Sequence, residues 1–390
     1  MKIAMFTDAY RPQVNGMITS IESFTASLRA LGHEVVIFAP MANRLASGMS
    51  NASENYKDDK FTYRFSSVPL NTYKEYSIAL PYPLTHMPKN FDIVHIHSPF
   101  SIGAVGHLFA KHYGLPSVGT FHTLFPEYPH YAIGRLSKFR EIKNAFRLIS
   151  WKYLIRFYGK CTEVIAPSEG TAHELISRGL SNVSIIPNGI DIKISGKNKK
   201  NLRKKHGFDS NDKILLHVGR ITKEKNMDLL IKSCAKPIKN SNFKLVITSD
   251  GPYRTELEKL TKKLGIENSI VFTGYLSKDA LDDFYSLADV FIMASKTETQ
   301  GMVLIEAALH KLPAAVLNTP VIGDFVRENN TGEVSDEKNF GKTIEDVYEN
   351  RKSFEKSCVI SAKKFDIKKC TKQMIAVYEK AIERHLTSNR

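Results

Sequence analysis

Apolar runs of strand length alternate with helical patterns in this 390-residue chain, and the alternation occurs twice. Residues 3–6 are apolar and break at Thr7-Asp8; Ile18, Ile21, Phe24, Leu28 and Leu31 then recur at helical spacing until Gly32, a helix stop. Residues 35–39, 93–96, 117–121, 164–166 and 183–186 continue as short β-rich runs with helical patterns between several of them. Such alternation predicts an α/β fold with a parallel sheet covered by helices on both faces. After Asn188-Gly189 it lapses into residues 193–205, which carry seven basic residues and no acid, and restarts at 214–218. Further strands are expected near 245–248, 270–273, 290–293 and 314–317, with helices such as 253–264 and 302–310 between them. The pattern therefore predicts two Rossmann-like doubly wound domains, residues 1–190 and 207–368, joined by a basic linker over 191–206. Residues 369–390 form one amphipathic helix with no strand after it, so it packs on either domain, including back across the first.

Composition narrows the function. A 42% hydrophobic content supports a sizeable core and excludes disordered and collagen-like chains. The net charge of +15 draws the surface to something anionic: phosphate, acidic lipid or nucleic acid. No stretch approaches the roughly 18–20 apolar residues that cross a bilayer, and residues 1–9 lack the apolar length and cleavage site of a signal peptide. Cys161, Cys234, Cys358 and Cys370 stand alone, which argues against a disulfide framework or a cysteine-ligated zinc and fits a reducing cytosol.

Open parallel sheets collect ligands at the carboxyl ends of their strands, so the post-strand loops carry the candidate chemistry. Gly16 lies where the first helix begins; it serves either a phosphate on the helix amides or only a turn. No Gly-x-Gly-x-x-Gly is nearby, which argues against a nicotinamide dinucleotide enzyme. After strand 214–218, Arg220 and Lys225 put a guanidinium fork and an ammonium on one loop, suited to a diphosphate or else solvated surface charge. After strand 290–293, Glu298 and Glu306 stand eight residues apart with a helix starting near Gly301 between them. Carboxylates there suit sugar hydroxyls; taken singly, Glu298 reads as a helix-capping acid and Glu306 as a solvated helix charge, and it is the spaced pair that points to a site.

The Glu298 to Glu306 spacing, with Gly219-Arg220, Lys225, the Asp250-Gly251-Pro252 turn and the opening loop Asp8-Ala9-Tyr10 to Asn15-Gly16, resembles the retaining family 4 glycosyltransferases of the GT-B fold. The resemblance covers nearly the whole chain. It implies a cleft between two Rossmann-like domains, with the donor diphosphate on Arg220 and Lys225, the transferred hexose on Glu298 and the ribose on Glu306. Amides of Gly301, Met302, Val303 and Leu304, and the Gly16 loop, would assist at the donor. The chain departs from the family pattern at Ser249, where a glycine commonly stands, and at His310-Lys311, which replaces a small residue and a glycine. In similar enzymes a histidine placed like His122 contacts the donor sugar and is needed for transfer; a lone histidine is otherwise a satisfied structural residue. His95 and His97 with His122 offer a metal site as the alternative, without carboxylate spacing to support it. The chain has no Asp-x-Asp element, so a metal-free mechanism with no cofactor beyond the nucleotide sugar is expected.

From Phe139 at 100° per residue, Ile142, Phe146, Ile149, Tyr153 and Phe157 fall within an arc of about 80°. Residues 135–160 hold eight basic residues and one acid; Lys138, Arg140, Lys143, Arg147, Lys152 and Arg156 flank the stripe, and Trp151 joins them as a candidate interface residue. Two arrangements fit: a helix lying on an anionic lipid interface, or one packed on the first domain's sheet with a basic outer face. The 121–131 segment and Thr297-Glu298-Thr299-Gln300-Gly301 look like those of bacterial diacylglycerol glucosyltransferases and sulfoquinovosyl relatives. That similarity implies transfer of glucose or galactose from a UDP-sugar to membrane diacylglycerol, at the inner face of the cell membrane, with Asp8, Glu127 and Tyr128 on the acceptor side. Hexosyl or mannosyl transfer to a phosphoinositide-type lipid or a cell-surface glycan is the alternative. An epimerase or phosphorylase would act without lipid, and no recognition motif accompanies the charge to suggest nucleic acid.

Overall fold

The computed structural model describes residues 1–13, 15–41, 58–70, 73–79, 84–193 and 196–388. Val14 of the opening loop, residues 194–195 of the basic stretch and the side chains of His130 and Tyr131 lie outside the described residues. The chain forms two units, Met1–Gly189 with Ile367–Arg390, and Ile190–Asp366.

The first unit is built on β1 (Lys2–Phe6), α1 (Gly16–Ala30), β2 (Glu34–Pro40), β3 (Thr62–Phe65), the antiparallel pair β4 (Ser67–Leu70) and β5 (Tyr73–Ala79), β6 (Ile93–Ile96), α2 (Ser101–Tyr113) and β7 (Ser117–Thr120). It continues through α3 (Pro129–Ile133), α4 (Arg140–Tyr158), β8 (Glu163–Ala166), α5 (Glu169–Ser177) and β9 (Val183–Ile185). Its seven-stranded sheet runs β3-β2-β1-β6-β7-β8-β9, all pairs parallel. The central strands β6, β7 and β8 are buried throughout, as a sheet covered on both faces requires. Helix α2 lies hard against it: a Cβ at Gly103 would stand 1.8 Å from the Ser98 carbonyl oxygen, so only glycine fits there.

The second unit contains α6 (Lys199–Lys205), β10 (Lys213–Val218), α7 (Met227–Ser241), β11 (Phe243–Thr248), α8 (Arg254–Leu264), β12 (Ile270–Gly274), α9 (Lys278–Leu287) and β13 (Val290–Met293). It ends with α10 (Met302–Leu309), β14 (Ala314–Leu317), α11 (Ile322–Asn329), β15 (Gly332–Ser335) and α12 (Phe340–Ala362). Its parallel sheet runs β12-β11-β10-β13-β14-β15, the strand order of a dinucleotide-binding fold.

The expected basic linker is instead part of this unit. Lys197 and Lys205 reach the two oxygens of Asp283, each at 2.6 Å, and Lys199 and Arg203 reach Asp289 at 2.8 and 2.6 Å. Burial alone would raise Asp283, but Lys197, Lys205 and His206 hold it well below the usual carboxylate range. Lysines that look unpaired along the sequence find their acids on α9 and just after it.

The last helix, α13 (Ile367–Ser388), starts two residues before the expected boundary and packs on the first unit. Cys370, Met374, Val377, Tyr378 and Ala381 join Ile18, Ile21, Phe24 and Leu28 of α1 and Ile3 and Met5 of β1 in one buried cluster. Glu163, fully buried, is paired by Lys380 at 3.1 Å and by Arg384.

Candidate functional site

In the second unit the strand order reverses between β10 and β13, and the loops leaving those two strands carry the predicted donor residues. Lys225 Nζ donates to Glu298 Oε1 at 2.6 Å, with the two side chains 24% and 14% exposed. Arg220 stands 3.7 Å from Glu224 on the same loop. The β10 loop is fastened to the β11 loop by Ile221 N–H to Asp250 O at 3.0 Å and Tyr253 N–H to Ile221 O at 3.2 Å. A Cβ at Gly251 would lie 2.1 Å from the Ile221 oxygen, so that approach needs glycine.

Gly301 is left-handed at φ 79° and opens α10, and no side chain caps the helix among the described residues. The first amides of α10 are thus left without a capping side chain at the end of the loop that carries Glu298. Leu304 differs from the expectation for it: its N–H donates to Gly301 O at 2.9 Å, inside the helix. Glu306, one and a half turns in, accepts from the buried Tyr285 hydroxyl at 2.7 Å, and burial pushes its carboxyl above the ordinary value. His310, one of the departures from the family pattern, stacks on Tyr285 at 5.2 Å and bridges the Glu306 carbonyl and Asp282. Ser249 and Lys311 take φ 77° and 60°, so both loops keep a glycine-type backbone without glycine.

His217, which sequence reasoning passed over, is fully buried on β10. Its Nδ1–H donates to Ile292 O at 3.0 Å, and burial, reinforced by the Lys225 charge, holds it neutral with a pKa of about 4. Its one signal in the sequence is a polar residue inside an apolar strand.

In the first unit the order reverses between β1 and β6. Asp8 lies there, but not as an acceptor-side group. Its carboxylate is fully buried and accepts from Ser101 Oγ at 2.8 Å, Ile102 N at 2.7 Å, Ser98 Oγ at 2.6 Å and Gly103 N at 3.2 Å. It is the cap of α2, which explains why a carboxylate in a dry site is tolerated; burial still raises its pKa. Glu127 accepts from Arg147 Nε at 2.6 Å, tying its turn to α4, and Tyr128 precedes α3. Gly16 is the exposed first residue of α1, whose cap is Asn15.

Three histidines gather at the carboxyl ends of β6 and β7. His97 Nδ1 and His122 Nε2 are 3.0 Å apart, the His95 and His97 rings are 4.0 Å apart, and His95 is held by Thr120 Oγ1 and Tyr378 Oη, each at 2.7 Å. Burial pulls His95 and His122 to about 3 and His97 well below its ordinary value, so all three are neutral. The rings meet one another rather than a common point, and among the described residues no group of three or more ligating side chains is arranged for a metal ion.

Helix α4 divides. Its start presents Phe139, Ile142, Leu148 and Ile149 at 58, 38, 71 and 68% exposure, among the exposed Lys138, Arg140, Lys143, Arg147, Lys152 and Arg156. Its end is core: Leu154, Phe157 and Tyr158 are buried, and so is Trp151, which stacks on Phe121 at 5.9 Å under the Arg178 guanidinium. Trp151 therefore leaves the interface set: the second half of the helix packs as core, and the first half leaves apolar side chains exposed among basic ones. No helix among the described residues is long and apolar enough to cross a membrane.

Two family models match along the chain: Glycosyltransferase Family 4 over residues 14–194 and Glycosyl transferases group 1 over residues 198–365. The chain is 32% identical to the alpha-monoglucosyldiacylglycerol synthase of Streptococcus pneumoniae, over 85% of this chain and 74% of that one. It is 29% identical to the Acholeplasma laidlawii protein of the same name, over 85% and 84%. In fold it is similar to Anabaena HepE in complex with UDP-glucose, with TM-score 0.72 and 18% identity over 97% of this chain and all of the other.

Proposed function

Because this chain belongs to glycosyltransferase family 4 and has the GT-B fold, we propose that it moves a hexose, glucose or galactose, from a UDP-sugar to the hydroxyl of membrane diacylglycerol with retention at the anomeric carbon. The observation that carries this reading is the pairing of Lys225 with Glu298 at the reversal point of the second sheet, beside the start of α10. Cleavage of the bond between the anomeric carbon and the donor phosphate leaves positive charge on the sugar and negative charge on the diphosphate. Arg220, Lys225 and the α10 amides stabilise that leaving group. Glu298 accepts from sugar hydroxyls, and Glu306, with one oxygen held by Tyr285, accepts from the ribose. His122 donates to the transferring sugar. The acceptor oxygen bonds to the anomeric carbon on the face the phosphate leaves, and its proton passes to a diphosphate oxygen, which gives retention. The cationic groups on the β10 loop do the work assigned to a metal in other transferases, so no metal and no cofactor beyond the nucleotide sugar is needed.

The acceptor reading rests on α4 and on the two named relatives, which are synthases of a glucosylated diacylglycerol. Apolar side chains exposed among six basic residues suit the headgroup boundary of an anionic bilayer, which supports a peripheral position on the inner face of the cell membrane. The test is transfer of radiolabel from UDP-glucose and UDP-galactose to diacylglycerol in mixed micelles, with and without anionic phospholipid, for native protein and Glu298→Gln. A glycolipid that requires anionic lipid and disappears in the variant supports the whole reading. Glu298-dependent hydrolysis of the UDP-sugar without glycolipid would discard diacylglycerol in favour of a phosphoinositide or glycan acceptor.

A further inference from the structure

The histidines of the first unit carry information beyond their position. His97 is 1% exposed, and its Nε2 is buried without a hydrogen-bond partner among the described residues, while its Nδ1 lies 3.0 Å from His122 Nε2. Its ring cannot turn to improve this, because His95 covers it at 4.0 Å and is itself locked between Thr120 and Tyr378 of α13. Each ring is neutral and carries one N–H, and the pair of facing nitrogens holds one proton between them. If His122 supplied that proton, the N–H of His97 would sit on Nε2, a buried donor with no acceptor. Orphaned donors are rarer and costlier in protein interiors than under-used acceptors. The proton therefore belongs to His97 Nδ1, His122 Nε2 accepts it, and the remaining proton of His122 is on Nδ1.

We infer that His97 is a positioning residue that fixes His122 as its Nδ1–H tautomer, so that His122 acts on the sugar as a hydrogen-bond donor. This rests on the reading of His122 given above and goes further by naming which nitrogen acts and what determines it.

The test uses full-length protein with 15N-labelled histidine, two variants and two readouts. Long-range proton–nitrogen spectra at neutral pH should show His122 protonated at Nδ1 and bare at Nε2. His97→Leu, which keeps the volume and removes the donor, should move His122 toward the Nε2–H form and lower kcat about 10- to 100-fold, the usual effect of removing a partner that orients a functional histidine. KM for the UDP-sugar should stay within about twofold, since the donor's main contacts lie elsewhere. His97→Asn, whose amide nitrogen stands close to the place of Nδ1, should restore both the signature and most of kcat. If the leucine variant does not fold, the native and asparagine spectra still decide the tautomer. An Nε2–H signature in native protein, or equal kcat in the leucine variant, would overturn the inference. Undiminished transfer by His122→Ala would remove the reading beneath it, and the inference with it, whatever the tautomer.

Discussion

The two units reverse their strand order in the same way and use the reversal point oppositely. In the first, a carboxylate from the β1 loop, Asp8, is driven onto the opening amides of α2 and takes four hydrogen bonds in a dry site. In the second, the corresponding helix start, α10, has no side-chain cap, and the carboxylate of the loop that leads into it, Glu298, is partly exposed and paired with Lys225 of the neighbouring loop. A helix N-terminus attracts an anion in either case. The first unit supplies the anion from its own chain; the second leaves the helix start without one and its charges partly exposed, as the proposed diphosphate site requires. On the proposed reading, one topology yields a structural joint or a ligand site according to whether the anion is built in.

That contrast sets the largest expected effect. Asp8→Ala leaves two buried amides and two hydroxyls without their acceptor, and should cost about 3–5 kcal/mol of stability, at about 1–3 kcal/mol for each unsatisfied group with partial relaxation. Hydrogen exchange should show the loss confined to amides of the first unit. Lys225→Ala should do the reverse: a fall of about 10²–10³ in kcat, the size expected when a preorganised group facing a developing charge is removed, with less than about 1 kcal/mol of stability lost because the pair is partly exposed. Equal stability losses from the two variants would erase the distinction.

The sequence made the second site legible because its parts are local. Arg220 with Lys225, and Glu298 with Glu306, each stand within one loop and helix start, and the strands before them are continuous apolar runs. What it concealed is non-local. The acids that pair with Lys197, Lys199, Arg203 and Lys205 lie on or just beyond α9, far along the chain, so a folded helix read as a linker. Asp8 finds its donors some 90 residues downstream, so a cap read as a candidate site group. Trp151 lies off the apolar stripe of α4, and its burial depends on Phe121, thirty residues earlier, which helical periodicity alone does not reveal. Tyr285, which holds Glu306, sits on α9, and nothing in its local sequence marks that role.

Acid should separate the units next. His95 and His122 have folded pKa values of about 3 against an ordinary 6.5, so below 6.5 the unfolded chain binds protons that the folded chain refuses. Stability from these groups is complete above pH 6.5 and is lost as pH falls toward 3. Asp8, raised by burial, acts in the opposite sense at the acid end and blunts the loss. His217 of the second sheet, lowered to about 4, acts in the same direction but is one such group against three, so between pH 7 and 5 hydrogen exchange should quicken more in the sheet around β6 and β7 than in β13 and β14. Replacing His95 with Gln should flatten that dependence. Uniform acid sensitivity of both sheets would contradict this assignment.

The smallest effect concerns backbone rather than charge. Ser249 and Lys311 hold left-handed conformations at φ 77° and 60° in loops of the second unit. A side chain there costs roughly 1–2 kcal/mol, whereas glycine gives back about 0.4–1 kcal/mol through its freer unfolded state. Ser249→Gly and Lys311→Gly should therefore each stabilise the second unit by about 0.5–1 kcal/mol, read as slower exchange in β11 and β14 with β1 and β6 unchanged. Because Ser249 directly precedes the Asp250-Gly251 turn that fastens the Arg220 loop, its variant should leave KM for the UDP-sugar unaltered if the turn geometry is already that of glycine. A raised KM would mean that the serine hydroxyl, and not only the backbone it tolerates, belongs to the donor site.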